Sequence, residues 1–265
     1  MKKLNFLLLI LLIFTFRISA EEKTYKITKT SEKPRIDGLI NDEIWKESEW
    51  QGNFTQFEPN SGELASQKTT FSIVFDEENI YVAIRCYDNQ PELINKQMSR
   101  RDGQEGDLVF IGFDSYFDKR TMFIFGVSAA GVKNDFVISN DGDNSDYTWD
   151  PIWDVKTKID SFGWTAEMRI PFNQLRYNKD ANEWGLNVSR FIYRLKEQSS
   201  WNYIDMKKSG FVSQCGVLTG MGHVKTKRYF EISPYFMTGY HRYEPEEGNP
   251  FATGKDFIYN VGLDG

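Results

Sequence analysis

Between about residue 24 and residue 222 the chain repeats one device: short runs of alternating apolar and polar residues, each closed by Asp, Gly, Asn or Pro. The clearest runs are Thr69–Phe75, Ile80–Tyr87, Leu108–Phe113, Thr121–Ser128, Trp153–Ile159, Trp164–Ile170 and Trp184–Tyr193. A period of two sends alternate side chains to opposite faces of an extended strand, so each run reads as a strand with one buried face. The gaps leave little room for crossover helices, which excludes βαβ units. The expected fold is all-β, an antiparallel β-sandwich of jelly-roll-like type. One short helix is expected over Glu43–Trp50, capped by Asn41 or Asp42, with a second helical turn at Phe172–Leu175.

A sandwich needs a large apolar supply, and 265 residues that are 40% hydrophobic and 15% aromatic provide it without metal or disulfide staples. Lys2 and Lys3 precede an apolar run from Leu4 to Phe16, and Ile18-Ser19-Ala20 offers a small residue for cleavage before Glu21. Residues 1–20 therefore read as a secretory signal peptide. The run falls short of the roughly 20 residues of a spanning helix. The chain is expected to be exported, and periplasmic or outer-membrane-associated.

Net charge is −6, and loss of the leader's Lys2, Lys3 and Arg17 would make it −9. The only basic cluster, Lys225–Arg228, is too short to offset that acidity, so nucleic acid is excluded as a partner. Two histidines, His223 and His241, argue against a His-rich zinc site or a His-dependent triad. Cys86 and Cys215 could form one disulfide. Alternation, however, puts Cys86 on the face of Val82 and Ile84 and predicts a buried free thiol.

Beyond Lys225 the character changes. Tyr229–Phe236 alternates, a polar loop follows, and Phe257–Leu263 alternates again, which predicts one hairpin. A lone hairpin leaves two open edges, so residues 225–265 are expected to be the truncated start of a larger β region.

No nucleophile elbow, Walker loop, dinucleotide fingerprint, H-E-x-x-H or C-x-x-C occurs. Glu167, flanked by apolar neighbours, is a candidate carboxylate for glycoside hydrolysis. It shares a strand face with Thr165 and Arg169, which favours a solvated or ion-paired role. The chemically unusual stretch is Asn140–Asp154, which mixes oxygen ligands with indoles. Trp149 and Trp153 are candidates to stack on the flat apolar face of a sugar, Trp149 as platform and Trp153 as wall or core. Asp141, Asp143 and Asp146 are candidate ligands for a structural Ca²⁺, although the spacing is not that of an EF-hand. In the loop Ser99–Asp107, Arg101, Asp102 and Asp107 are candidate hydroxyl partners, with Asp102 able to fix Arg101 by a bidentate pair.

Four separated segments then agree in order and spacing: Pro34–Trp45 with Ile36-Asp37-Gly38, Ile80–Asp88, Trp149–Trp153 and Gly163–Phe172. Together they resemble carbohydrate-binding module family 9 over roughly residues 30–220. The resemblance implies a β-sandwich, here residues 21–224, that binds oligo- or polysaccharide through an aromatic clamp, commonly with structural calcium. Residues 228–265 resemble the start of the outer-membrane β-barrel that follows such a module in Bacteroidetes-type envelope proteins. Three functions follow as expectations. The first is a non-catalytic carbohydrate-binding module serving polysaccharide recognition or catabolism. The second is an envelope domain docking on its barrel without sugar affinity. The third is a region accessory to hydrolysis of O-glycosyl compounds in a longer polypeptide.

Overall fold

In chain order the strands of the computed structural model are β1 (Thr24–Lys26), β2 (Thr28–Lys29), β3 (Thr55–Glu58), β4 (Thr69–Phe75), β5 (Asn79–Tyr87), β6 (Leu108–Asp114), β7 (Met122–Ser128) and β8 (Lys133–Ser139). They continue with β9 (Asn144–Asp146), β10 (Asp154–Asp160), β11 (Gly163–Pro171), β12 (Glu183–Ile192), β13 (Glu197–Ser200), β14 (Gly216–Thr219), β15 (Ser233–Arg242) and β16 (Lys255–Asp264). The structure describes residues 22–178, 181–222, 232–245, 247–251 and 253–264. The leader 1–20, the basic cluster Lys225–Arg228 and the first residues of the Tyr229–Phe236 run lie outside them. Contacts divide the chain into two units, residues 1–226 and 227–265.

The first unit is a sandwich. A large sheet runs β1-β14-β12-β6-β7-β8-β9, with β13 on β12 and β3 on β13, and a small sheet runs β10-β11-β5-β4-β2. Alternation explains the layers. Val109, Ile111, Phe113, Phe123, Phe125 and Val127 of the large sheet meet Phe71, Ile73, Val82, Ile84, Ala166 and Met168 of the small sheet in one buried cluster. At about 25 cal/mol per Å² of apolar surface removed from water, such a cluster is the main stabilising term.

Two pairings depart from the expected antiparallel pattern: β1 lies parallel to β14, and β2 parallel to β4. The chain thus edges the large sheet, turns at buried Ile27 and edges the small one. Strands of three and two residues are too short for alternation to announce. The helix α1 (Glu43–Glu47) also stops before Trp50, because Ser48 is already extended (φ −77°, ψ 158°). Asp42 sits at the N-cap position, but its carboxylate accepts from the Arg35 N–H (3.2 Å) rather than capping the helix.

Cys86 and Cys215 are both free and buried. Cys86 belongs to the core between the sheets, and burial pushes its thiol up to about 12. Cys215 belongs to a separate cluster with Met122, Ile124 and Ile138, on the opposite face of the large sheet. The second unit is a hairpin, β15 against β16, paired in register from Ser233–Asp264 to Arg242–Lys255.

Candidate functional site

Three of the residues singled out in the sequence do converge, but on a carboxylate that sequence reasoning missed. Asp135, fully buried on β8, takes the Arg101 guanidinium through Nε and Nη2, with Nη2 to Oδ2 at 2.7 Å. The indole N–H of Trp153 donates to the same carboxylate at 3.3 Å. Asp102 accepts the backbone N–H of Asp135 at 2.9 Å, holding a left-handed backbone (φ 63°) to do so. Arg101 also reaches Asp150 and the Pro151 carbonyl, so the expected Arg101–Asp102 pair is replaced by Asp135 and Asp150. Burial raises the Asp135 carboxyl, opposed by the hydrogen bonds of Arg101 and Trp153. The ensemble closes the Asn140–Asp154 loop onto the sheet.

Of the two indoles, Trp153 belongs to the core and Trp149 borders it. Trp153 is 1% exposed and meets Phe125 edge-on at 5.3 Å. Trp149 is half-buried against Phe123 and Phe125, at 5.2 and 5.3 Å, both residues of the core-facing side of β7. Asp107 has no exposed surface. Its carboxylate accepts from the N–H groups of Tyr193 (3.2 Å) and Asn95 (3.4 Å), and burial pushes its carboxyl up. It ties these loops together through Oδ1, while its buried Oδ2 has no hydrogen-bond partner.

The three candidate calcium ligands do not fit a metal. Asp141 spends its oxygens on the N–H groups of Phe211 (3.0 Å) and Ser213 (2.8 Å) and on the Ser213 hydroxyl (2.7 Å). Asp146 accepts the N–H and hydroxyl of Thr148 at 2.9 and 2.6 Å. Among the described residues no group of three or more His, Cys, Asp or Glu side chains is placed to hold an ion. Glu167, too, differs from its solvated expectation: it is fully buried beneath the segment 36–45. Its oxygens accept from Trp45 Nε1 (2.8 Å), Gly38 N (2.6 Å) and Asp37 N (3.1 Å).

A strip on the outer face of the large sheet is partly exposed at Ser189, Phe110 and Phe136. One registered row crosses four strands: Ser189 on β12, Phe110 on β6, Gly126 on β7 and Asn134 on β8. Gly126 is required there, since a Cβ would stand 2.4 Å from a ring carbon of Phe110, which lies across it. Phe136 meets Phe110 edge-on at 6.2 Å, and Tyr147 lies over Phe136 at 4.8 Å with planes 32° apart. Tyr147 is 44% exposed, and its hydroxyl accepts from Gln104 Nε2 at 3.3 Å. Asn134 is buried. Its amide donates to the Gly103 carbonyl (3.3 Å), while its Oδ1 has no hydrogen-bond partner.

A buried acceptor without a donor is costly unless a ligand or water supplies one. Flat aromatic faces next to such an acceptor suit a molecule with apolar faces and hydroxyl donors. Ile204, Phe211 and Val212 pack with Met122, Ile124 and Ile138 beside the strip. β8 is not among the strand runs named from sequence, because Lys133-Asn134-Asp135 opens it with three consecutive polar residues. The signal was the alternation of Asn134, Phe136 and Ile138 after the Gly131 turn.

Residues 36–211 match the model of the carbohydrate family 9 binding domain-like family. The fold is shared with a family 9 carbohydrate-binding module from Caldicellulosiruptor kristjanssonii solved with glucose (TM-score 0.56, 18% identity, 78% of this chain and 99% of that one). A structure of such a module from the same organism with cellotriose aligns with TM-score 0.55 and 19% identity, over 76% of this chain and 94% of that one. A proposed carbohydrate-binding protein from Bacteroides uniformis aligns with TM-score 0.57 and 14% identity, over 75% and 99%. No curated protein matches.

Proposed function

Because the chain belongs to the carbohydrate family 9 binding domain-like family, we propose that its sandwich binds neutral saccharide on the large-sheet strip, without catalysing any reaction. Tyr147 and Phe136 supply the stacking face, in place of Trp149, and Gln104 supplies a hydrogen-bonding amide beside it. The observation that carries the reading is the unpartnered, buried Asn134 Oδ1 beside these rings, which a sugar hydroxyl would satisfy. Structures of two similar folds hold glucose and cellotriose, which makes glucose-based oligosaccharides the first ligands to try.

Calorimetric titration with cellotriose should give a saturable isotherm. Tyr147→Ala should weaken it at least about tenfold, or about 1.4 kcal/mol, with little change in Tm because the ring is exposed. An unchanged isotherm in the variant would reject the strip. Silence from a folded sample would favour the docking reading instead.

The hairpin supports the proposal that this module is carried by an outer-membrane β-barrel. Both strands are ten residues long, the length that crosses a bilayer when tilted. One face carries Pro234, Phe236, Thr238 and Tyr240 opposite Leu263, Val261, Tyr259 and Phe257. The other carries Ser233, Tyr235, Met237, Gly239 and His241, with Gly262, Asn260, Ile258 and Asp256 across from Tyr235 to His241. A nearly continuous apolar face backed by a mixed, more polar one is the lipid-out, lumen-in pattern. Phe236 and Val261 are 69% and 74% exposed on the apolar face. In cells, the chain should fractionate with outer membranes, and Phe236→Asp should shift it towards the soluble fraction. An unchanged distribution between variant and parent would count against membrane insertion.

A further inference from the structure

The small sheet has its own open groove, a cleft of about 450 Å³ on the side of the sandwich opposite the strip. Its floor is a registered row: Thr70 on β4, Arg85 on β5 and Thr165 on β11. One wall is Trp50, whose ring is fixed by an N–H···O bond to the Trp45 carbonyl at 2.7 Å. The other is Tyr87, 38% exposed, with two cations packed on its ring: Lys68 Nζ at 5.3 Å and Arg85 Cζ at 5.2 Å from the centroid.

The two cations differ in kind. Asp160 clamps Arg85 through two hydrogen bonds of 2.7 Å each, which neutralises it. Among the described residues, Lys68 has no carboxylate within 4 Å, and the Thr70 hydroxyl has no hydrogen-bond partner. The groove therefore carries one uncompensated positive charge in a chain of net charge −6. Two aromatic walls, a free hydroxyl and an ammonium without a carboxylate partner make a set that a neutral sugar would use only in part. A pyranose bearing a carboxylate would use all of it, stacking on Trp50 and Tyr87 and pairing its charge with Lys68.

We propose that this groove is a second saccharide site, selective for uronate residues of an acidic polysaccharide. The inference rests on the saccharide-binding reading for its ligand class alone, since none of its residues belongs to the strip. It gives the module two binding faces of different charge preference.

The test is titration of the full chain with trimers of galacturonate, mannuronate and guluronate, and with cellotriose as the neutral probe. At least one acidic trimer should bind. Lys68→Met and Tyr87→Ala should each weaken it tenfold or more while leaving the cellotriose isotherm unchanged, and Tyr147→Ala should do the reverse. Raising NaCl from about 50 to 500 mM should weaken the acidic ligand and spare the neutral one. Silence from a folded sample across all three acidic trimers would overturn the proposal. So would a uronate isotherm indifferent to Lys68→Met and Tyr87→Ala, or one lost only in Tyr147→Ala. Cellotriose silence with uronate binding intact would instead remove the strip and leave the groove standing.

Discussion

Replacing Asp135 by alanine should lower the stability of the sandwich by about 2–4 kcal/mol, more than any exposed ion pair could contribute. The carboxylate is fully buried and serves Arg101, the Trp153 indole and, through its own backbone, Asp102. Its removal orphans a buried indole N–H and strips Arg101 of its fixed partner. The loss is kept below the upper range for buried pairs because Arg101 is 36% exposed and retains Asp150. A fall in Tm of roughly 5–15 °C is expected. Asp135→Asn should cost nearly as much, since an amide turns one N–H donor towards a guanidinium that has no acceptor. A thermal or urea midpoint within error of the parent would show that Arg101 and Trp153 find other partners without strain.

Glu167→Ala should cost about 3–5 kcal/mol, for a related reason acting at a longer range. One carboxylate on β11 holds three donors of the segment 37–45, 122 to 130 residues away in sequence. Without it the Trp45 indole and the Gly38 N–H are buried and unpaired, and the cover that Trp45 forms over Val74, Tyr81 and Ala83 loses its anchor. The same group sets a pH dependence. Burial raises the Glu167 carboxyl above its ordinary value, outweighing the lowering by Gly38, Trp45 and Asp37. The folded state therefore holds this proton more tightly than the unfolded chain. Its contribution is fully present below the unfolded pKa of about 4.3 and is lost as pH rises through the higher folded value. Urea midpoints measured from about pH 4 to 7 should show that downward component in the parent and lack it in Glu167→Gln. Parallel curves would mean that the group titrates normally when folded.

Most strands were legible because their information is local. Thr69–Phe75 carries its own alternation, and β4 has those bounds. β5 and β11 differ from their predicted runs only at the ends. Partner choice is a different matter. Arg101 has Asp102 beside it in sequence, yet Asp135 lies 34 residues away and takes the guanidinium. Geometry explains the preference: Asp102 is turned to the β8 backbone, while Asp135 points inward from a strand. The burial of Asp107 was hidden for a similar reason, since a polar loop leading into β6 looks exposed until Tyr193 and Asn95 close over it. Tyr147 was passed over in favour of two tryptophans. Trp153 went to the core, where a large ring removes more surface from water, Trp149 borders it half-buried, and the smaller ring with a polar tip stayed outside.

The parallel pairing of β1 with β14 brings Thr24 against Val217, so the first and last strands of the sandwich complete each other. Contacts this distant close late in folding because the intervening loop entropy must be overcome first. A chain released N-terminus first, from a ribosome or through a pore, has every strand of the sandwich but one before Gly216 emerges. During that interval both β1 and β12 lack the strand that will lie between them, and their open hydrogen-bonding edges can join neighbouring chains. Completion of the sandwich is thus timed by delivery of Gly216–Thr219, and shielding nascent edges until that moment is the demand this topology places on whatever folds it.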